Sequence, residues 1–191
     1  MGFRYEIRLS GDVGHGLILI GKILAEAAAI YENYNAIQSQ SYGEEARSEA
    51  NRADVIISDG DIVYPKIENP DLLLCFTQTA YDKYTRTLKP NGILIYDSSR
   101  VVSETKNVYR EYDFPIFLMT REQFGSEPLA GIVALGIVAD FIEIISPRAI
   151  QQALMARIPK GMERLNEKAL KLGYQMSRQE RQSLDIQNEA P

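Results

Sequence analysis

Three glycines, Gly11, Gly14 and Gly16, stand at GxxGxG spacing in Gly11-Asp12-Val13-Gly14-His15-Gly16 and enclose the only histidine of the chain. Before them Tyr5-Glu6-Ile7-Arg8-Leu9 alternates apolar and polar residues as a strand does, and after them Leu17 to Ile30 carries apolar residues at every helical phase. Glycine serves where a backbone takes positive φ or approaches a neighbour closely, and the unpaired N–H groups that open a helix attract anions. The chemistry on offer is a seat for phosphate or carboxylate at the mouth of a strand–turn–helix unit. His15, between two of the glycines, has two readings: a group that donates to an anion or faces a partner chain, or a solvated turn residue.

Other chemistry is sparse. The dinucleotide fingerprint is GxGxxG followed about 20 residues on by an acid for the ribose hydroxyls. Here the middle glycine is displaced, and Gln38-Ser39-Gln40-Ser41 fills the acid's place. A phosphate loop of nucleotide hydrolases needs Lys-Ser/Thr after its last glycine, where this chain has Leu17-Ile18. Cys75, the single cysteine, sits in the apolar run Asp71 to Phe76 and reads as a small inert core residue. One thiol cannot close an internal disulfide, nor hold an iron–sulfur cluster or structural zinc, which need about four ligands. The charged stretch Gly43 to Arg52 reads either as a solvated loop with local ion pairs or as part of a site.

The elements that must position these residues alternate. Strand-like runs cover Ala36 to Tyr42, Ala53 to Ser58, Asp71 to Phe76 and Ile93 to Asp97, with a further strand expected over Phe114 to Met119. Helices are expected over Leu17 to Ile30 and over Gln78 to Leu88, the latter capped by Thr77. From about residue 127 the chain turns helical: Leu129 to Ile145, a helix opened by Ser146-Pro147, and one over Lys160 to Gln175 that Gly173 interrupts. Short connections and buried runs predict an α/β fold, a mainly parallel sheet with helices on both faces in a Rossmann-like three-layer sandwich, with a helical C-terminal segment. Residues 1–177 form one domain in this reading, and 178–191, rich in charge and amides, a flexible tail.

At 191 residues the chain can bury a sizeable core, and its 45% hydrophobic and 25% charged residues are ordinary globular composition. A net charge of −5 argues against a nucleic-acid partner. No leader or apolar stretch of about 20 residues is evident, so the expectation is a cytoplasmic protein with no membrane contact.

A core without a self-sufficient catalytic set suggests a subunit. The glycine turn, Gln38-Ser39-Gln40-Ser41-Tyr42-Gly43-Glu44-Glu45-Ala46-Arg47, Asp54-Val55-Ile56-Ile57-Ser58-Asp59, Val133-Ala134-Leu135-Gly136 and Asn166-Glu167-Lys168-Ala169 together resemble the gamma subunit of 2-oxoacid:ferredoxin oxidoreductases. The form of the loop is most similar to the 2-oxoglutarate type, and the resemblance runs in order from about residue 3 to 176. It implies a share in the oxidative decarboxylation of a 2-oxoacid to its acyl-coenzyme A with electrons passed to ferredoxin. It also implies alpha, beta and delta partner subunits that carry thiamine diphosphate, Mg and [4Fe-4S] clusters, with coenzyme A as a co-substrate that the gamma chain helps to seat. The family usually has glutamine at the place of His15 and two glycines at the places of Ser48 and Glu49. The residues expected at the ligand or interface site are Gly11, Gly14, His15, Gly16, Tyr42, Gly43 and Arg47, gathered at the carboxyl ends of the first two strands, with no catalytic residue or metal ligand on this chain. The alternatives are a free-standing Rossmann-like nucleotide-binding enzyme and a scaffold subunit without ligand.

Overall fold

A computed structural model describes residues 2–41, 51–103 and 109–189, with the backbone alone beyond Ser183. Six strands, β1 (Arg4–Gly11), β2 (Asn35–Ser41), β3 (Asn51–Ser58), β4 (Leu72–Cys75), β5 (Ile93–Asp97) and β6 (Arg110–Phe114), form one sheet in the order β2-β3-β1-β4-β5-β6. β1, β4, β5 and β6 run parallel, while β3 is reversed and pairs antiparallel with both β1 and β2. The described helices are α1 (Leu17–Glu26, extended by a π-helical turn over Ala27–Tyr31), α2 (Gln78–Tyr84), α3 (Ile116–Phe124), α4 (Ala130–Phe141), α5 (Pro147–Arg157) and α6 (Glu163–Glu189). The α/β class and mainly parallel sheet read from the sequence are those observed.

Strand alternation sorts the residues into two cores. Ile7, Leu9, Val55, Ile57, Leu72, Leu74 and Ile95 face α1 and the C-terminal helices, whereas Leu73, Cys75 and Leu94 face α2 with its Ala80, Tyr81 and Tyr84. Both faces thus carry helices, but unequally. On the second face β1 and β3 are polar: Arg8 stands opposite Asp54 in the ladder and bonds it through Nε and Nη2, both at 2.9 Å. Its Nη2 also donates to the Ile67 carbonyl at 2.8 Å, and the guanidinium lies 5.1 Å from the Tyr84 ring centre. Both charges are buried. Desolvation of such a pair is offset only when its donors and acceptors are filled, as they are here.

α4 is apolar all round and buried along its length apart from Asp140. It lies against α6, where Gly136 and Gly173 let the backbones meet: a Cβ added at Gly173 would stand 2.0 Å from the Val133 carbonyl oxygen. Gly173 therefore does not interrupt α6. The expected start of a flexible tail at 178 falls inside this helix, where Ser177 and Arg181 bond to Asp140.

The strand expected over Phe114 to Met119 is corrected. β6 ends at Phe114, Pro115 removes the next ladder donor, and α3 begins at Ile116. Its Phe117 N–H donates to the Asp97 carboxylate at 2.8 Å, a cap supplied from β5 across 20 residues of sequence. β6 itself is an edge strand, where Arg110, Glu111 and Asp113 are tolerated.

Candidate functional site

β1, β4 and β5 all end at one edge of the sheet, and the glycine turn leaves from it. Gly14 and Gly16 have φ of 90° and 76°, a left-handed backbone that favours glycine, and Gly16 opens α1 without a side-chain cap. Gly11, the last residue of β1, lacks the Cβ that would meet Phe76 Cβ at 2.8 Å and His15 Nδ1 at 3.2 Å. In the ladder Gly11 pairs with Asn51, and Arg52 pairs with Ser41. The end of β2 and the start of β3 therefore stand beside the glycine turn. Tyr42, Gly43 and Arg47 belong to the segment between these strands and lie outside the described residues.

Beside the turn, a cleft of about 410 Å³ is walled by Val13, Leu17 and Ile18 and bordered by Lys22, Arg52 and Arg157. Asp12 is the acid among its lining residues. Arg157 is bound by Glu26 through two nitrogens, and Arg52 stands 3.7 Å from Asp54. Lys22 projects from the exposed side of α1 and has no acidic partner among the described residues. Cations beside a glycine turn and an uncapped helix start favour an anion, and the apolar wall favours an organic one.

His15 points the other way, into a second cluster at the same edge. Its ring packs on Phe76 and Phe117, with centroids 5.7 and 4.8 Å away. Nδ1 faces the Asp12 N–H at 3.2 Å and Nε2 faces Arg100 Nη1 at 3.2 Å. Both contacts are donors, and a neutral imidazole can accept from one only. Burial is the main cause that lowers the pKa of His15 below 6.5, with Asp12 opposing and Arg100 adding to it. The shift favours the neutral ring near pH 7. Arg100 lies over Phe117, 3.4 Å from its centroid, and pairs with Glu127 at 2.7 Å. The loop that presents it is fixed by buried Asp97, whose carboxylate accepts from Ser99 N–H and Phe117 N–H at 2.8 Å each.

The structure therefore brings Gly11, Gly14, His15 and Gly16 together at one edge and adds Lys22, Arg52, Arg100 and Arg157 to it. Sequence reasoning met Arg52 only as the end of the charged stretch and missed the others: Arg100 and Arg157 arrive from elements far along the chain, and an arginine in a loop or helix end carries no local signal of its destination. Cys75 is fully buried in β4 and its thiol is pushed far above the usual range by burial. Among the described residues no group of three His, Cys, Asp or Glu could hold a metal ion, and no helix is long and apolar enough to cross a membrane.

Comparison with known proteins agrees with this architecture. The family model described as pyruvate ferredoxin/flavodoxin oxidoreductase matches residues 6–176. The 2-oxoglutarate synthase subunit KorC of Methanocaldococcus jannaschii is 39% identical over 178 residues, covering 92% of this chain and 95% of that one. Among solved structures, the gamma subunit of a keto/oxoacid ferredoxin oxidoreductase from Geobacter sulfurreducens superposes with a TM-score of 0.81 at 42% identity, covering 91% of this chain and 98% of its own. The same fold, at 20% identity and a TM-score of 0.80, makes up 31% of a longer chain in the 2-oxoglutarate:ferredoxin oxidoreductase of Magnetococcus marinus. The chain belongs to the pyruvate ferredoxin/flavodoxin oxidoreductase family.

Proposed function

We propose that this chain is the gamma subunit of a cytoplasmic 2-oxoglutarate:ferredoxin oxidoreductase and that its glycine-turn edge forms part of the site where coenzyme A is seated. The observation that carries the subunit reading is the likeness to KorC, 39% identical over 95% of that protein's length. The chemistry of the chain supports it. One cysteine, buried, cannot bind a cluster that needs four thiolates, so electron transfer belongs to partner chains. In the assembled enzyme a 2-oxoacid loses carbon dioxide, its acyl group passes to the thiol of coenzyme A, and two electrons go to ferredoxin. Thiamine diphosphate with Mg, held by the alpha and beta subunits, would supply the electron sink for the decarboxylation.

This chain's own share is binding. Lys22 and Arg52 supply positive charge for phosphate groups, Val13, Leu17 and Ile18 supply an apolar wall, and Gly14 and Gly16 let a ligand approach the backbone. Arg47, in the loop that carries the family resemblance, is assigned to the same site, because an arginine's planar fork pairs with phosphate or carboxylate in two places. The test is a panel of 2-oxoacids given to the purified complex with coenzyme A and a ferredoxin or viologen acceptor. Turnover highest with 2-oxoglutarate and absent without coenzyme A is the expected result. Preference for pyruvate or a branched-chain 2-oxoacid would contradict the substrate assignment.

A further inference from the structure

A groove of about 590 Å³ separates α5 from α6, remote in sequence from the glycine turn, and its charge is opposite to that of the chain as a whole. Arg148 comes from α5 and Arg164, Lys168, Lys171 and Arg178 from α6, against one acid, Glu167, which accepts from Gln151 Nε2 at 2.7 Å. The chain carries a net charge of −5, so this is a local concentration and not the average surface. Elsewhere the exposed cations Arg100, Arg121 and Arg157 each have an acidic partner, while Lys22 has none among the described residues. Arg148, Arg164, Lys168 and Lys171 have none among the described residues, and Arg178 reaches Asp140 only at 3.5 Å.

We propose that this groove receives an acidic segment of a partner subunit, an inference that rests on the reading of the chain as a subunit. The length of the stripe selects the kind of partner. Positions 164, 168, 171 and 178 are spaced by four, three and seven residues, so they share one face of α6. Fourteen residues of helix extend about 21 Å. A single phosphate or a small dicarboxylate reaches only part of that span, whereas an acidic helix or extended segment matches it. Tyr174 lines the same groove, and its hydroxyl is buried without a hydrogen-bond partner among the described residues. Burial raises its pKa to about 12, so it keeps its proton.

The experiment uses the complex purified through a tag on this chain. A zero-length carbodiimide joins a lysine amine to a carboxylate already in contact with it, and mass spectrometry then identifies the pair. Lys168 and Lys171 are expected to be joined to Asp or Glu of a larger subunit. The Arg164→Gln, Lys168→Gln, Lys171→Gln variant, altered only at exposed positions, should hold its partners about tenfold more weakly at low salt, a difference that fades as salt rises to about 0.5 M. An intact complex in which neither lysine is joined to a partner, and in which the triple variant has unchanged affinity and salt dependence, overturns the groove assignment and leaves the subunit reading standing. If tripolyphosphate at micromolar concentration protects both lysines from acetylation in the intact complex, the groove is an open small-anion site and the inference fails. A chain that purifies without partners refutes both readings.

Discussion

Replacing Gly173 by alanine sets two opposed effects against each other, and the packing of α4 on α6 decides the sign. Alanine in the interior of a helix is favoured over glycine by about 1 kcal/mol. At position 173 the added methyl carbon would lie 2.0 Å from the Val133 carbonyl oxygen and 2.9 Å from both Gly136 Cα and Ile137 N. Ordinary contact begins near 3.4 Å, and every obstructing atom is backbone, so none can rotate away. Relief requires α6 to withdraw from a fully buried helix by more than 1 Å along the line of contact, opening space around Val133 and Ile137. Overpacking of this kind costs about 3 kcal/mol, at the upper end of its usual range. The net destabilisation is about 2 kcal/mol, a fall in Tm of about 4–8 °C for a domain of this size. Thermal and urea unfolding of the wild-type and variant proteins, followed by circular dichroism, measure it. A variant as stable as wild type, or more so, would show that propensity outweighs contact and that the helices do not pack as described.

Three further outcomes follow from the same geometry, and one from the proposed site. Asp54→Ala leaves the buried Arg8 guanidinium without its acid and should cost about 3–5 kcal/mol, while the double change Arg8→Met, Asp54→Leu should recover most of it; equal losses in urea melts would contradict the pairing. His15 is the only histidine, so one NMR titration reports it, and its midpoint should lie below 6.5. Between that midpoint and 6.5 the unfolded chain binds more protons than the native one. The contribution of His15 to stability is therefore complete above about pH 6.5 and declines as pH falls toward the lowered value, a slope that His15→Gln should remove. Cys75 should resist thiol reagents in the native protein and react once the chain is unfolded in urea, because burial disfavours its thiolate. Arg47→Ala should raise the apparent KM for coenzyme A roughly tenfold to hundredfold in the assembled enzyme with the fold unchanged; an unaltered KM would remove Arg47 from the site.

Much of this fold was legible because its signals are local. The alternation Tyr5 to Leu9, the apolar run Leu72 to Cys75, and the caps Thr77 and Ser146 announce their elements within a few residues. The reversed strand β3 was not legible, since a β-branched run such as Val55-Ile56-Ile57 has the same pattern in either direction. Phe114 to Met119 misled because the cap that starts α3 there is Asp97, on another strand. Gly173 misled because a glycine that breaks a helix and a glycine that admits a neighbouring backbone look alike until the neighbour is placed. The same division runs through the site. Gly11, Gly14, His15 and Gly16 lie within six residues and announce a turn, whereas Arg100 reaches His15 from 85 residues away through the rigid end of β5. Family resemblance added an expectation that local physics could not: the loop from Tyr42 to Arg47, outside the described residues, reads as polar connection unless its order is recognised.

The central claim is that this chain works as one subunit of a larger oxidoreductase. The direct measurement is to tag the chain in its own cells, purify it without oxygen, and assay the product for partner chains, iron, acid-labile sulfide and thiamine diphosphate. Larger chains carrying all three, with reduction of ferredoxin that requires both a 2-oxoacid and coenzyme A, are the predicted result. A stable chain that emerges alone and free of cofactor would contradict the account.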